Sequence, residues 1–165
     1  MPAPTIAKLL AHLALPLAAR AASSAPYPES FHLAPFASGT PVTPDHLYHQ
    51  CKTEVHHLGN FSHPASMADC LEIGEWSRAN SGLWILSSDN WYILRESGNC
   101  ALAVQANIPT NIGDGDVADL IDTIHLGDGI RLGSIEEAGS FSGCQNPNVV
   151  INFWLRDSKF ELLPV

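Results

Sequence analysis

Apolar and polar positions alternate most cleanly in two stretches, and both read as strands. Over Cys100–Ala106 the sequence CALAVQA puts Cys100, Leu102, Val104 and Ala106 on one side of an extended backbone and Ala101, Ala103 and Gln105 on the other. Over residues 149–155, VVINFWL, Val149, Ile151, Phe153 and Leu155 face one way, and Val150, Asn152 and Trp154 the other. After the first strand Pro109, Asn111 and Gly113 break the run and Asp114 stands as an N-cap. Val117, Leu120, Ile121 and Ile124 then recur at helical spacing until Gly127 stops the helix. An earlier helix is predicted over residues 66–79, SMADCLEIGEWSRA, capped by Ser66 with Asp69 three residues on, and with Met67, Cys70, Leu71 and Gly74 on one face.

Residues 83–87 and 91–95, rich in Trp, Ile and Tyr, read as two strands joined by the turn Ser88-Asp89-Asn90. They run straight into the Cys100 strand, so antiparallel pairing of neighbours is the economical arrangement. Short strand-like runs follow at 129–132 and 139–144. The pattern predicts an α+β fold, with two helices packed on one face of a mainly antiparallel sheet of about four to five strands. With 165 residues, 45% of them hydrophobic, the chain has enough for one core and not for two.

The two ends differ from this body. In residues 1–21, Lys8 precedes an apolar run from Leu9 to Ala19, and Ala19-Arg20-Ala21 fits a small-x-small cleavage site, so the segment reads as a secretory signal peptide. The run is shorter than the ~20 residues a bilayer needs, and Pro16 interrupts it. Residues 22–44 are rich in Ser, Ala and Pro, show no period, and read as an extended or disordered leader. The domain is assigned to 45–157 and a short tail to 158–165. Removal of Lys8 and Arg20 takes the formal charge from −9 to −11, since all 17 acidic residues and 6 of the 8 basic ones remain. A chain of that charge with no basic run repels phosphate, which sets nucleic acid aside as a partner; no later stretch is long enough to span a membrane.

The four cysteines all follow the cleavage point, as in a protein with two disulfides from an oxidising compartment. Cys70 shares the apolar face of the first helix, and Cys100 that of its strand, so the two should meet between helix and sheet. Cys144 falls in step with Ser140 and Ser142, on the polar side of its run or at its end, where an arm carrying Cys51 can cross. The expected pairs are Cys70–Cys100 and Cys51–Cys144.

No GxSxG, HExxH or Walker sequence is present, and neither a cofactor nor a metal is expected. His46, His49, His56, His57 and His63 crowd the arm around Cys51 without helical metal-ligand spacing. They read as a solvated loop that gains charge near pH ~6.5. Asn60-Phe61-Ser62 is an N-glycosylation sequon. Asp114, Asp116, Asp119 and Asp122 lack the Glu that closes a calcium loop, and Asp114 and Asp116 are better explained by the helix start than by catalysis. Trp84, Tyr92 and Trp154 form a binding surface for a sugar or protein if they share an exposed sheet face; core packing is the alternative, because the inward side of each strand is not fixed.

Four blocks carry a family likeness: residues 61–70 (FSHPASMADC), 97–106 (SGNCALAVQA), 116–124 (DVADLIDTI) and 139–144 (GSFSGC). Together they resemble the necrosis-inducing factor domain of secreted fungal effectors, over roughly residues 51–155. The resemblance implies a small secreted protein of plant-associated fungi with host-directed or cell-death-inducing roles and no established active site. The fold it implies is similar to that of small fungal killer toxins, which carry many more cysteines. On this reading the protein acts by binding, without catalysis, on a host or competitor extracellular or membrane protein or on a cell-wall glycan. The alternatives are a killer-type toxin against competing microbes and a small wall-active enzyme using Asp114 and Asp116.

Overall fold

The computed structural model describes residues 31–39, 47–58, 62–127 and 133–159. The signal-like segment, His46, Asn60 and the predicted strand at 129–132 lie outside them. In chain order the first elements are β1 (Phe31–Leu33), β2 (Phe36–Ser38), β3 (Thr53–Leu58), β4 (Ala65–Ser66) and the helix α1 (Met67–Ala79). Then come β5 (Gly82–Leu86), β6 (Trp91–Ser97), β7 (Cys100–Ala106), β8 (Thr110–Gly113) and α2 (Asp114–Leu126). β9 (Ser134–Ile135), β10 (Glu137–Ser142) and β11 (Ile151–Asp157) complete the series.

β7 is the central strand. It pairs antiparallel with β6 on one side and β11 on the other, in a six-stranded sheet ordered β1-β6-β7-β11-β10-β3. Only β1 runs parallel to its neighbour. The alternation read from sequence holds: Cys100, Leu102, Val104 and Ala106 are fully buried beside Ile151, Phe153 and Leu155, while Val150 and Asn152 face out. A second sheet, β2-β5-β8, and the pair β4-β9 flank the main one.

α1 starts where its sequence asks it to. The Ser66 hydroxyl accepts from the Asp69 N–H at 3.4 Å, the Asp69 carboxylate accepts from the Asn99 N–H at 2.8 Å, and the Asn99 side-chain oxygen accepts from the Ser66 N–H at 2.7 Å. This ring of bonds stitches the helix start to the β6–β7 turn. Gly98 in that turn has φ of 52°, and a Cβ there would lie 2.3 Å from the Asp69 carboxylate. The buried face of α1 is Met67, Cys70, Ile73, Gly74 and Ser77, rotated slightly from expectation so that Leu71 is half-buried. α1 packs on β6 and β7 and also on α2, which reaches β5 and β8. The two helices therefore form a layer of their own on the inner side of the sheet.

Three segments depart from the sequence reading. Residues 31–39, in the stretch read as an extended or disordered leader, are extended and paired into sheets: β1 pairs with β6 and β2 with β5. β5 and β6 are consequently not a hairpin, because this segment takes the edge each would have offered the other. The histidine arm is in part a strand, β3, paired antiparallel with β10, and the supposed loop after β7 contains β8. Short edge strands owe their existence to a neighbouring backbone rather than to their own periodicity, which explains why pattern alone misses them.

The disulfides are Cys70–Cys100 and Cys51–Cys144, as the face assignment expects. The first joins α1 to β7, with both residues fully buried; the second ties the chain before β3 to the segment after β10. Chain-entropy arguments put each at about 3 to 5 kcal/mol. C70A/C100A should lose about that much in urea unfolding and also weaken the near-UV circular dichroism of the core tryptophans. C51A/C144A should lose a comparable amount with that signal retained. Equal loss of the near-UV signal in both would mean that the inner bridge has no special role in core packing.

Candidate functional site: the outer sheet face and the strapped helix start

The acidic quartet does not form one cluster. Gly113 occupies the N-cap position of α2, one residue earlier than expected, and Asp116 accepts from its N–H at 2.9 Å. The same carboxylate accepts from the Gln50 N–H at 2.9 Å and the Cys51 N–H at 3.1 Å, and Asp114 accepts from the Tyr48 N–H at 2.8 Å. The Gly115 N–H returns a bond to the Tyr48 carbonyl at 3.1 Å. Residues 48–51 are thus strapped across the helix start by two buried carboxylates, which favour the positive end of the helix dipole as well. Asp119 is exposed, with the His49 Nδ1 3.5 Å away, and Asp122 pairs with Arg78. Burial pushes the Asp116 carboxyl above the usual aspartate range, against the pull of its three backbone donors and of His49.

The histidines are dispersed. His49 lies at the α2 start, 4.0 Å from Asp116; His56 in β3 has its Nδ1 2.9 Å from buried Glu137 and its ring on Phe153; His57 sits in β3, and His63 precedes β4. Among the described residues no group of three His, Cys, Asp or Glu side chains is placed to hold a metal ion.

The aromatic trio is also split, which corrects the proposed surface. Trp84 and Tyr92 are 1% and 8% exposed, and Trp84 donates its indole N–H to the Leu94 carbonyl at 3.0 Å inside the core. Tyr92 is paired with Val104, so it shares the inner face. Trp154 alone lies on the outer face, half-buried and paired with Ala103. Its partners there are ones the sequence reading passed over. Trp91 stacks on it at 4.7 Å and 20°, the Arg156 guanidinium sits 4.7 Å from its ring, and Phe31 meets Trp91 edge-on at 6.4 Å. Ala101 and Ala103 lie beneath, small enough for these long side chains to lean across β7. Beside the rings is an open cavity lined by Phe31, Ile93, Ala101, Ala103 and Arg156 together with Glu96, Asp157 and Ser158. The signal for this site was present: the off-core positions of β7 and β11 include Ala101, Ala103 and Trp154.

The inner bridge Cys70–Cys100, the inner face of β7 and both helices fall within residues 50–142, which match the family Hce2 (pathogen effector; putative necrosis-inducing factor) over more than half of the chain. The chain belongs to the Hce2 family. No curated protein matches it. The Hce2 match includes Trp91, Ala101, Ala103 and the strap residues Asp114 and Asp116, whereas Phe31, Cys144, Trp154 and Arg156 lie outside it. An effector family and two disulfides are consistent with secretion. Among the described residues no helix is long and apolar enough to cross a membrane.

Because the folded pKa of Asp116 is raised, its contribution to stability is fullest in acid, below the ordinary aspartate value of ~3.9, and is lost as pH rises through the folded value. D116N should cost about 1 to 3 kcal/mol, since its amide would confront backbone N–H donors. The gap between wild type and D116N in urea unfolding should widen from about pH 7 to about pH 4. A gap that narrows in acid would show that the fold prefers the ionised carboxylate.

Proposed function

We propose that this Hce2 protein is a secreted effector that acts on host cells by binding, with the outer face of the six-stranded sheet as its contact surface. The observation that carries this reading is the cavity floored by Ala101 and Ala103 and walled by Phe31, Ile93 and Arg156, next to the stacked Trp91 and Trp154. Aromatic and arginine side chains around an apolar floor are the residue types that dominate binding energy at recognition surfaces. Asp114 and Asp116, the carboxylates a small hydrolase would need, are 0% and 3% exposed and each accepts from backbone N–H groups of the strap, which favours binding over catalysis. The partner would be an extracellular or membrane protein of the host, or a cell-wall glycan. Cleavage near Ala21 would release it.

Leaf infiltration of purified protein, beside a growth-inhibition assay on competing microbes, tests both the activity and its target class. W91A and A101W remove one wall of the face and fill its floor. Each is expected to raise the dose needed for cell death at least about tenfold, as loss of one anchoring aromatic does, while disulfide pairing and circular dichroism stay unchanged. Undiminished cell death in both variants would remove the face from the mechanism. Inhibition of microbes with no effect on leaves would favour the killer-toxin reading, and activity lost only in D114N/D116N with its fold intact would favour an enzyme.

A further inference from the structure

The segment 31–39 occupies a cleft rather than lying along one edge. Its first half pairs with β6, in the register Phe31↔Trp91, His32↔Tyr92 and Leu33↔Ile93, and the Ala34 N–H donates to the Ile93 carbonyl at 3.0 Å. Its second half turns to β5: the Pro35 carbonyl accepts from the Ile85 N–H at 2.9 Å, Phe36 pairs with Trp84 and Ser38 with Gly82, and the Gly39 N–H donates to the Ser81 carbonyl at 2.8 Å. Pro35 stands where the segment changes sides, a position at which its missing N–H leaves no donor unpaired.

The cleft is shaped for this occupant. The Phe36 ring sits 4.8 Å from Trp84 and 5.2 Å from Trp76, in an aromatic socket made by β5 and α1. Opposite it is Gly82, where a Cβ would lie 2.6 Å from the Phe36 ring and 2.4 Å from the Ala37 carbonyl oxygen. Socket and both strand edges belong to the Hce2-matched residues 50–142, and the occupant does not. Its hold on them is modest. Ala34 is the one residue of the segment that is buried; Phe31, Phe36 and Gly39 are partly covered, and the others are exposed. Among the described residues no disulfide, ion pair or side-chain hydrogen bond involves the segment. Peripheral pairing held by backbone bonds and by the rings of Phe31, His32 and Phe36, with no covalent or ionic tie, opens at lower free energy than the core does.

We propose that the cleft between β5 and β6 is a strand-accepting site for a partner protein, with residues 31–38 as the occupant the chain supplies to itself. The ligand class follows from that occupant: an extended, uncharged peptide segment with an aromatic residue for the Trp76/Trp84 socket, joined to the two edges by main-chain bonds. Binding there would also withdraw Phe31 from Trp91 and Arg156, and so reshape the outer face.

The probe is a fluorescent peptide of residues 31–39, FHLAPFASG, titrated into the full chain and followed by anisotropy. In the wild type the cis segment fills the cleft and uptake is weak. F36A weakens the cis segment alone and should tighten peptide binding at least tenfold, and F36A/G82A, which obstructs the socket, should abolish the gain. Equal binding by wild type and F36A, or a gain that survives G82A, overturns the proposal. Dimerisation of F36A without peptide uptake assigns the cleft to a second copy of the chain and overturns the partner reading. If F36A does not fold, the folded wild type is nicked at a protease site inserted within residues 40–46; the labelled peptide must then exchange into it, and failure to exchange overturns the proposal.

Discussion

β7 lies in the middle of a six-stranded sheet and must be covered on both faces, yet the described residues hold two helices, of which α1 packs on β6 and β7 from one side with α2 behind it. On that side the requirement is met by Leu102 and Val104 against α1, and by the disulfide from Cys100 to Cys70. On the other side β7 presents Ala101 and Ala103, and cover comes from side chains that reach across from neighbouring strands: Trp91 from β6, Trp154 and Arg156 from β11, Phe31 from β1. The aromatic face is thus a product of a small domain's shortage of layers. Small residues on the central strand and large ones on its neighbours leave a hollow edged by aromatic rings.

The other organising feature is the strap. A helix start has backbone N–H groups to satisfy, and in α2 Asp116 accepts from the Gly113 N–H while reaching also to the incoming segment 48–51. Asp114 and Asp116 accept from that segment's backbone, so two carboxylates that look catalytic in a linear reading act as fasteners. Tyr48, fixed in this way, lies against Gly39, where a Cβ would come within 2.6 Å of its ring. The strap therefore positions the end of the segment that fills the β5–β6 cleft.

Most of the body was legible in the sequence because its elements carry strong side-chain patterns. The strict alternation of β7 and β11, the Ser66–Asp69 cap and the inward direction of Cys70 and Cys100 give the sheet centre, the first helix and the disulfide pairs. The edges were not legible. β1 and β2 are three residues each and are held by main-chain bonds to strands more than 40 residues away, which leaves no periodic trace. Trp84 and Tyr92 were ambiguous for a related reason: both faces of β5 and β6 carry large apolar residues, and the inner side of each is settled only by where the segment 31–39 and α1 lie.

The two disulfides are nested, the loop from Cys70 to Cys100 lying wholly inside the one from Cys51 to Cys144. A single peptide-bond cut anywhere between Cys51 and Cys144 therefore leaves both fragments covalently joined, and a cut between Cys70 and Cys100 leaves them joined twice. Only cuts outside the outer loop can shed a piece, and the pieces at stake there are β11 on one side and the cleft-filling segment on the other. Because β11 lies inside the sheet with its inner face fully buried and the cleft-filling segment lies at its rim, proteolysis would strip the segment first and leave the disulfide-closed body whole.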